Sequence, residues 1–340
     1  MLRKTLIILF LFLLPSCAPE FEKKPVDIVW PLPPDEPRIK YVDYIRGSMD
    51  IVKKKKKITE VLFGEESLDV FIKPYGVTVD RQGRIYVTDK GRVWVIDLEK
   101  GEYTFLGTEP GIGRLANPIG IATSSDGRVF VADVSQDRVF VYKDGKPVAL
   151  IGHEGEFKSP SSIAIDEKRN RIYVCDSNSH IINVYNLDDY KKIMTIGKRG
   201  HDKGEFNFPT NIALNSEGHL HVVDTGNWRI QVFDPDGNLI RTFGQIGDVP
   251  GTFTRPKGIG IDSEDHIYVV DAAFENVQIF DKEGRLLMPF SGPGIEPGQL
   301  SLPAGLFVDH NDRIYVVEQV NKRVQIFQYM GKKWKESQKK

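Results

Sequence analysis

The chain has little cysteine, no excess of either charge and no long apolar run, and each shortage removes a class of protein. Two cysteines occur among 340 residues, Cys17 and Cys175, so no framework of disulfides organises the fold. C-x-x-C-H is absent, which excludes covalently attached haem. The chain also lacks a G-x-S-x-G elbow, a phosphate-cradling glycine loop and a C-x-x-C pair, so these residues point to no cofactor. Lysine and arginine number 46 against 47 acidic residues, a net charge of −1, so no overall field gathers nucleic acid. The longest apolar run, residues 6–14, is too short to span a membrane, because a helix crossing ~30 Å of hydrocarbon needs ~20 residues.

What is present begins with a leader. Arg3 and Lys4, the apolar run and "LPSC" at 14–17 follow in the order of a secretory signal peptide covering residues 1–17. "LPSC" resembles the lipobox of bacterial lipoproteins. That resemblance implies that Cys17 is diacylated and becomes an acylated amino terminus, which attaches the protein to a membrane through lipid. Ala18 in place of aspartate implies, by the same resemblance, the outer membrane, with the protein facing the periplasm or the cell surface. Cys175 is then left without a partner and reads as a small buried hydrophobe. Residues 18–37 hold six prolines and read as an extended tether, with Trp30 of "WPLPP" laid along the chain's own domain. Residues 48–64 read as a short helix capped by Ser48 or Asp50 and stopped by Gly64, with the lysines at 53–57 on its solvated face.

Repeats occupy the rest. Units open at Pro74, Pro118, Pro160, Pro209, Pro256 and Pro303, with spacings of 44, 42, 49, 47 and 47 residues. Each holds four short strand signals divided by Gly, Asp and Asn turns. In the fourth unit they are "NIALN", "HLHVVD", "RIQVF" and "LIRTFG". A period of 40 to 50 with four strands is the mark of a propeller blade. The sixth unit stops after its third strand, and "RIKYVDYIRG" at 38–47 has the pattern of the missing fourth. The sequence therefore predicts an all-β, six-bladed β-propeller over 38–330, closed by an N-terminal strand, with a charged tail at 331–340. A monomer is expected.

The motifs "P-x-G-I-A-I-D", "G-x-I-Y-V-x-D" and "N-x-R-I-Q-V-F", and the loop at 197–209, resemble NHL repeats over about three quarters of the chain. With the leader and tether, the resemblance extends to bacterial NHL-repeat lipoproteins. It implies two contrasting chemistries in propeller enzymes: zinc held by histidines in amidating lyases, or calcium held by Glu, Asn and Asp in lactonases. The first strands, where channel ligands would sit, contain neither histidine nor glutamate, and no three of the seven histidines converge in the pattern zinc requires. The second strands all end on a carboxylate: Asp89, Asp133, Asp176, Asp224, Asp271 and Glu318. Because a site is single whereas a turn recurs, these read as structural acids, each accepting N–H bonds from the turn into the third strand and pairing with Arg138, Arg229 or Arg323. Tyr75, Asn211 and Lys257 at the channel mouth, with Trp228 and Phe274 in second-to-third-strand turns, form the candidate contact set. The expectation is a non-catalytic scaffold for a protein, peptide or other ligand of the envelope. The alternatives are a metal-dependent propeller lyase or hydrolase and an assembly factor for envelope proteins. The lipid reading has a direct check: Cys17→Ala moves the protein from the membrane to the soluble fraction, and unchanged fractionation would remove it.

Overall fold

The computed structural model describes residues 26–52 and 68–339. The signal peptide, Cys17, the lysines at 53–57 and Gly64 lie outside them. The repeats fold into five four-stranded antiparallel sheets and one five-stranded sheet. Their innermost strands, Val77–Val79, Pro118–Thr123, Pro160–Asp166, Pro209–Leu214, Pro256–Ile261 and Pro303–Val308, touch one another in succession around a closed ring. Six sheets thus form the blades of a propeller.

The composition of each strand follows from its place. The second strands, Ile85–Asp89 and its five counterparts, are almost wholly buried, because neighbouring blades cover both faces of the sheet. Such strands are continuously apolar. The fourth strands at the rim, such as Glu102–Leu106 and Lys192–Ile196, alternate exposed and covered residues. Six apolar clusters fill the six seams between blades; Tyr86, Val93 and Leu106 of blade one, for example, meet Val131, Phe140 and Tyr142 of blade two.

The ladder slips immediately after the leading proline in blades two to six, for example between Pro118 and Gly120 and between Pro256 and Ile259. Proline cannot donate to the ladder, and the bulge re-aims the residue that follows it. The third position packs against the next blade. A Cβ on Gly76 would lie 2.2 Å from the Ile119 carbonyl oxygen, and one on Gly305 equally close to that of Tyr75. Only glycine allows inner strands this near.

Blade six is composite. Ile39–Ile45 pairs antiparallel with Arg323–Tyr329, from Ile39 opposite Tyr329 to Ile45 opposite Val324, with a one-residue slip between Tyr41 and Asp43. The strand also enters two seams: Ile39 and Tyr41 join the cluster between blades five and six, and Ile45 the one between six and one.

Three segments differ from the expectations. The proline-rich stretch is no free tether over its described part: Val29–Trp30 forms a fifth strand on blade six, and the Trp30 ring lies 5.7 Å from Phe290 and 5.8 Å from Phe327. Of the helix expected over 48–64, the described part is Ser48–Ile51, followed by an extended Val52, and residues 53–64 lie outside the described residues. Neither Ser48 nor Asp50 caps it from the first position. Gly47 does, while the Asp50 carboxylate accepts the Arg46 N–H at 2.9 Å. The charged tail contains a helix, Lys332–Ser337, held by the Lys332 N–H on Glu264 and by Lys335 on Glu36.

Removing residues 38–47 strips the outer strand from blade six and three apolar side chains from two seams. The expected outcome is loss of the single cooperative melting transition and recovery of the protein as aggregate. A soluble monomer with an unchanged melt would contradict the role given to this strand.

Candidate functional site

The second-strand carboxylates are all buried, with exposures of 0 or 1%. Their principal donors are not those the sequence suggested. Each acid reaches back about 17 residues to N–H groups of the loop that enters its own blade. Ile72 and Lys73 donate to Asp89 at 2.9 and 2.6 Å, Ala116 and Asn117 to Asp133 at 2.7 and 2.9 Å, and Lys158 and Ser159 to Asp176 at 3.0 and 2.8 Å. Asn207 donates to Asp224 at 2.7 Å, Thr254 and Arg255 to Asp271 at 2.8 and 3.1 Å, and Ser301 to Glu318 at 2.8 Å. Bonds from the following turn are secondary and occur in some blades, as from Ser135 to Asp133 and from Ala273 to Asp271. Arg229 pairs with Asp224 at 2.8 Å, and Arg323 with Glu318, whereas Arg138 makes no ion pair among the described residues. A buried carboxylate needs such donors to remain tolerable, and these acids are occupied in holding loops.

A second device pins the same loops. Gln231, Gln278 and Gln325, fully buried in third strands, accept N–H bonds from Gly204, Gly251 and Gly298 at 2.9, 2.7 and 2.8 Å. Each amide then donates to the carbonyl of the next loop residue. Trp94 holds this position in blade one and donates to Asp89 at 3.2 Å. The pairing of Gln in "RIQVF" with Gly in the loop before it was visible in the sequence as a co-occurrence, which the reading above did not use.

The Asx-type turn lies at the opposite end of the blades. Asp80, Asp262 and Asp309 close the first-to-second-strand turns, each accepting N–H bonds from residues two and four further on, at 2.8 to 3.0 Å. Tyr86, Tyr268 and Tyr315, the tyrosines of "IYV", donate their hydroxyls to these acids at 2.9 to 3.1 Å.

Between these two ends a cavity of about 480 Å³ runs along the channel. Its wall is chiefly aliphatic, with Val79, Ile121, Ile165, Leu214 and Ile261, and it reaches Arg81, Glu167 and Arg169 at the turns between first and second strands. Of the five sequence-named contact residues, Asn211 lines this cavity, and its buried Nδ2 has no hydrogen-bond partner. Tyr75 and Lys257 stand just beyond the lining, at the mouth on the inter-blade face. Burial pushes the Tyr75 hydroxyl up to about 12, against the opposing charge of Arg255. Burial also lowers the Lys257 ammonium, and Arg255 adds to the effect. Trp228 is a left-handed turn residue packed on the seam between blades four and five, and Phe274 is half-buried in its turn.

The histidines are dispersed. His266 bonds Asp262 at 2.9 Å, His201 bonds Asn227 at 2.7 Å, and His180 accepts the Phe208 N–H at 3.1 Å. His221 is buried, which pushes its imidazole down to about 4.

With this geometry the comparisons can be read. The model of the SMP-30/Gluconolactonase/LRE-like region matches residues 34–250. The chain belongs to this family. NHL repeat-containing protein 3 of Mus musculus is 24% identical over 202 residues, 57% of this chain and 51% of the relative. A probable peptidyl-alpha-hydroxyglycine alpha-amidating lyase of Caenorhabditis elegans is 30% identical over 138 residues, 35% and 39% of the two chains. The chain thus spans about half or less of the length of these relatives. Among solved structures, virginiamycin B lyase from Staphylococcus aureus superposes with a TM-score of 0.56 at 19% identity, covering 75% of this chain and 94% of that one. An auxiliary nutrient binding protein from Bacteroides thetaiotaomicron gives 0.60 at 13%, covering 77% and 70%. At these identities the likeness is one of fold.

The zinc or calcium that the resemblance to propeller enzymes implies finds no matching set of donors in this channel. Among the described residues no three His, Cys, Asp or Glu side chains gather to hold an ion. The acids at the wide mouth are engaged elsewhere: Glu167 with Arg81 at 2.9 Å and the Ser125 N–H, Asp166 with Arg169 at 2.9 Å.

Asp176→Ala leaves the Lys158 and Ser159 N–H groups without an acceptor and is expected to cost about 3 kcal/mol or more. Glu154→Ala, on the exposed part of a loop, should change stability by less than ~0.5 kcal/mol. Urea denaturation of the two variants checks the contrast, and equal effects would refute the pinning role.

Proposed function

We propose that this chain is a lipid-anchored propeller of the bacterial cell envelope that binds a protein partner on its inter-blade face, without catalysis. One observation carries the reading. The loops between blades, with the second-to-third-strand turns beside them, present large aliphatic side chains to solvent: Ile112 is 81% exposed, Ile295 71%, Ile246 61%, Val320 59% and Val249 57%. Exposed apolar side chains gathered on one face mark an interaction surface. The same loops are fixed from beneath by Asp133, Asp271, Glu318, Gln278 and Gln325, so the face is preorganised and little ordering entropy is lost on binding. A rigid scaffold that carries its variable residues on such loops is suited to recognition. The lyase or hydrolase alternative draws on the names of relatives, and the donor set of the channel lends it no support.

The double variant Ile246→Lys/Ile295→Lys tests this face. Crosslinked partners captured from envelopes by the native protein should be lost from the double variant and retained by Leu287→Lys, which alters an exposed rim residue. Capture that is indifferent to the double substitution would exclude the inter-blade face.

A further inference from the structure

At the centre of that face lies a group of cations with no ion-pair partner among the described residues. Arg255 and Lys257 flank Pro256 at the head of the first strand of blade five. Arg255 is exposed and Lys257 half-buried, and neither takes part in a side-chain hydrogen bond or ion pair among the described residues. Two like charges beside one proline, one of them partly desolvated, repel each other, and a bound anion would relieve that repulsion. The bulge after Pro256 takes Lys257 out of the paired ladder.

The ring geometry brings further donors to the same place. Lys73 is the pre-proline residue of blade one, equivalent to Arg255, and each fixes its N–H on the carboxylate of its own blade, at 2.6 and 3.1 Å. In blade three the pre-proline residue is Ser159, and Lys158, one position earlier, donates its N–H to Asp176 at 3.0 Å. Basic residues thus precede the leading proline of blades one and five, with Lys158 one residue further back in blade three. None of the three carries an ion pair among the described residues. Tyr75 follows Pro74 in blade one, in the position that Lys257 holds in blade five. Burial and Cys175 of blade three raise its hydroxyl, and the charge of Arg255 of blade five opposes them. Asn211 occupies the third position of blade four, which in other blades abuts the following one, and its buried Nδ2, without a hydrogen-bond partner among the described residues, lines the cavity. Among the described residues these side-chain donors have no acceptors, and the backbones of Lys73, Lys158 and Arg255 are bonded to buried carboxylates.

We propose that the inter-blade mouth of the channel is a recognition site for a ligand group bearing two or more negative charges, carboxylate or phosphate, bound by Arg255, Lys257, Tyr75 and Asn211 with Lys73 and Lys158 at its rim. The proposal builds on the binding reading above by naming the chemistry at the centre of the face, but it stands on different residues. Charge-assisted bonds from a fixed frame give such a site its strength, and the oppositely charged ligand is steered to it over several ångströms.

The test is calorimetric titration of the full-length protein, in detergent at low salt, with pyrophosphate and separately with citrate. One or both should bind at micromolar to low millimolar concentration. Arg255→Gln and Lys257→Gln should each weaken binding by about tenfold or more, while Lys146→Gln at the rim leaves it unchanged, all three melting at the native temperature. The tighter of the two probes distinguishes a phosphate from a carboxylate ligand. Failure of both probes to bind, or equal weakening by all three variants as expected of diffuse charge alone, would overturn the proposal. Ile246→Lys/Ile295→Lys should retain anion binding, so loss of the protein partner and loss of the anion site are read separately.

Discussion

The structure depends on a buried carboxylate reaching across about 17 residues to the backbone of the loop that introduces its own blade. That bond ties the second strand, where the acid resides, to the chain segment crossing from the preceding blade. Repeated around the ring, it makes every inter-blade loop part of the sheet it precedes. The acids are affordable in an apolar interior because several donors converge on each, as on Asp224 from Asn207, Asn227, Arg229 and Gln231. Buried glutamines strengthen the arrangement in blades four to six, and an indole does so in blade one. The outward result is a loop face with the rigidity of a sheet.

Much of this was legible because it repeats. Proline, the terminal aspartates and the apolar runs recur at blade spacing, and recurrence converts weak local signals into a count of six blades. The strand at 38–47 was legible through a deficit, since the last unit lacked a rim strand of the same pattern. What escaped was non-local. Trp30 was expected to lie along the chain's own domain, but the two-residue strand it belongs to, packed on Phe290 and Phe327 some 260 to 300 positions away, was not, since a segment rich in proline gives no periodic sign of it. The donors to the carboxylates were assigned to the nearer turn because an Asx turn is the local solution. The true partners lie upstream, and the Asx turns fall at the other end of the blades, on Asp80, Asp262 and Asp309.

The candidate site was less legible than the fold. Tyr75, Lys257 and Asn211 could be assigned to the channel because the leading proline fixes their place. Trp228 could not be separated from packing by sequence alone, and it serves a seam. The solvent-facing aliphatics Ile112, Ile246 and Ile295 stand in loops whose glycines and prolines read as turns, so their exposure became apparent only with the strands in position. Family membership is consistent with this division. It accounts for the blades and says nothing of the residues at the mouth.

The pairing of Ile39 with Tyr329 has a temporal side. The edge that receives the early strand is among the last parts of the propeller to be synthesised, so the strand waits unmatched while almost every other blade segment is made. Contacts this distant in sequence raise the contact order and slow the final step, since loop closure must be completed before the gain is felt. A nascent or truncated chain therefore stays open and prone to association until its C-terminal strands arrive, and maturation is governed by the length of chain released.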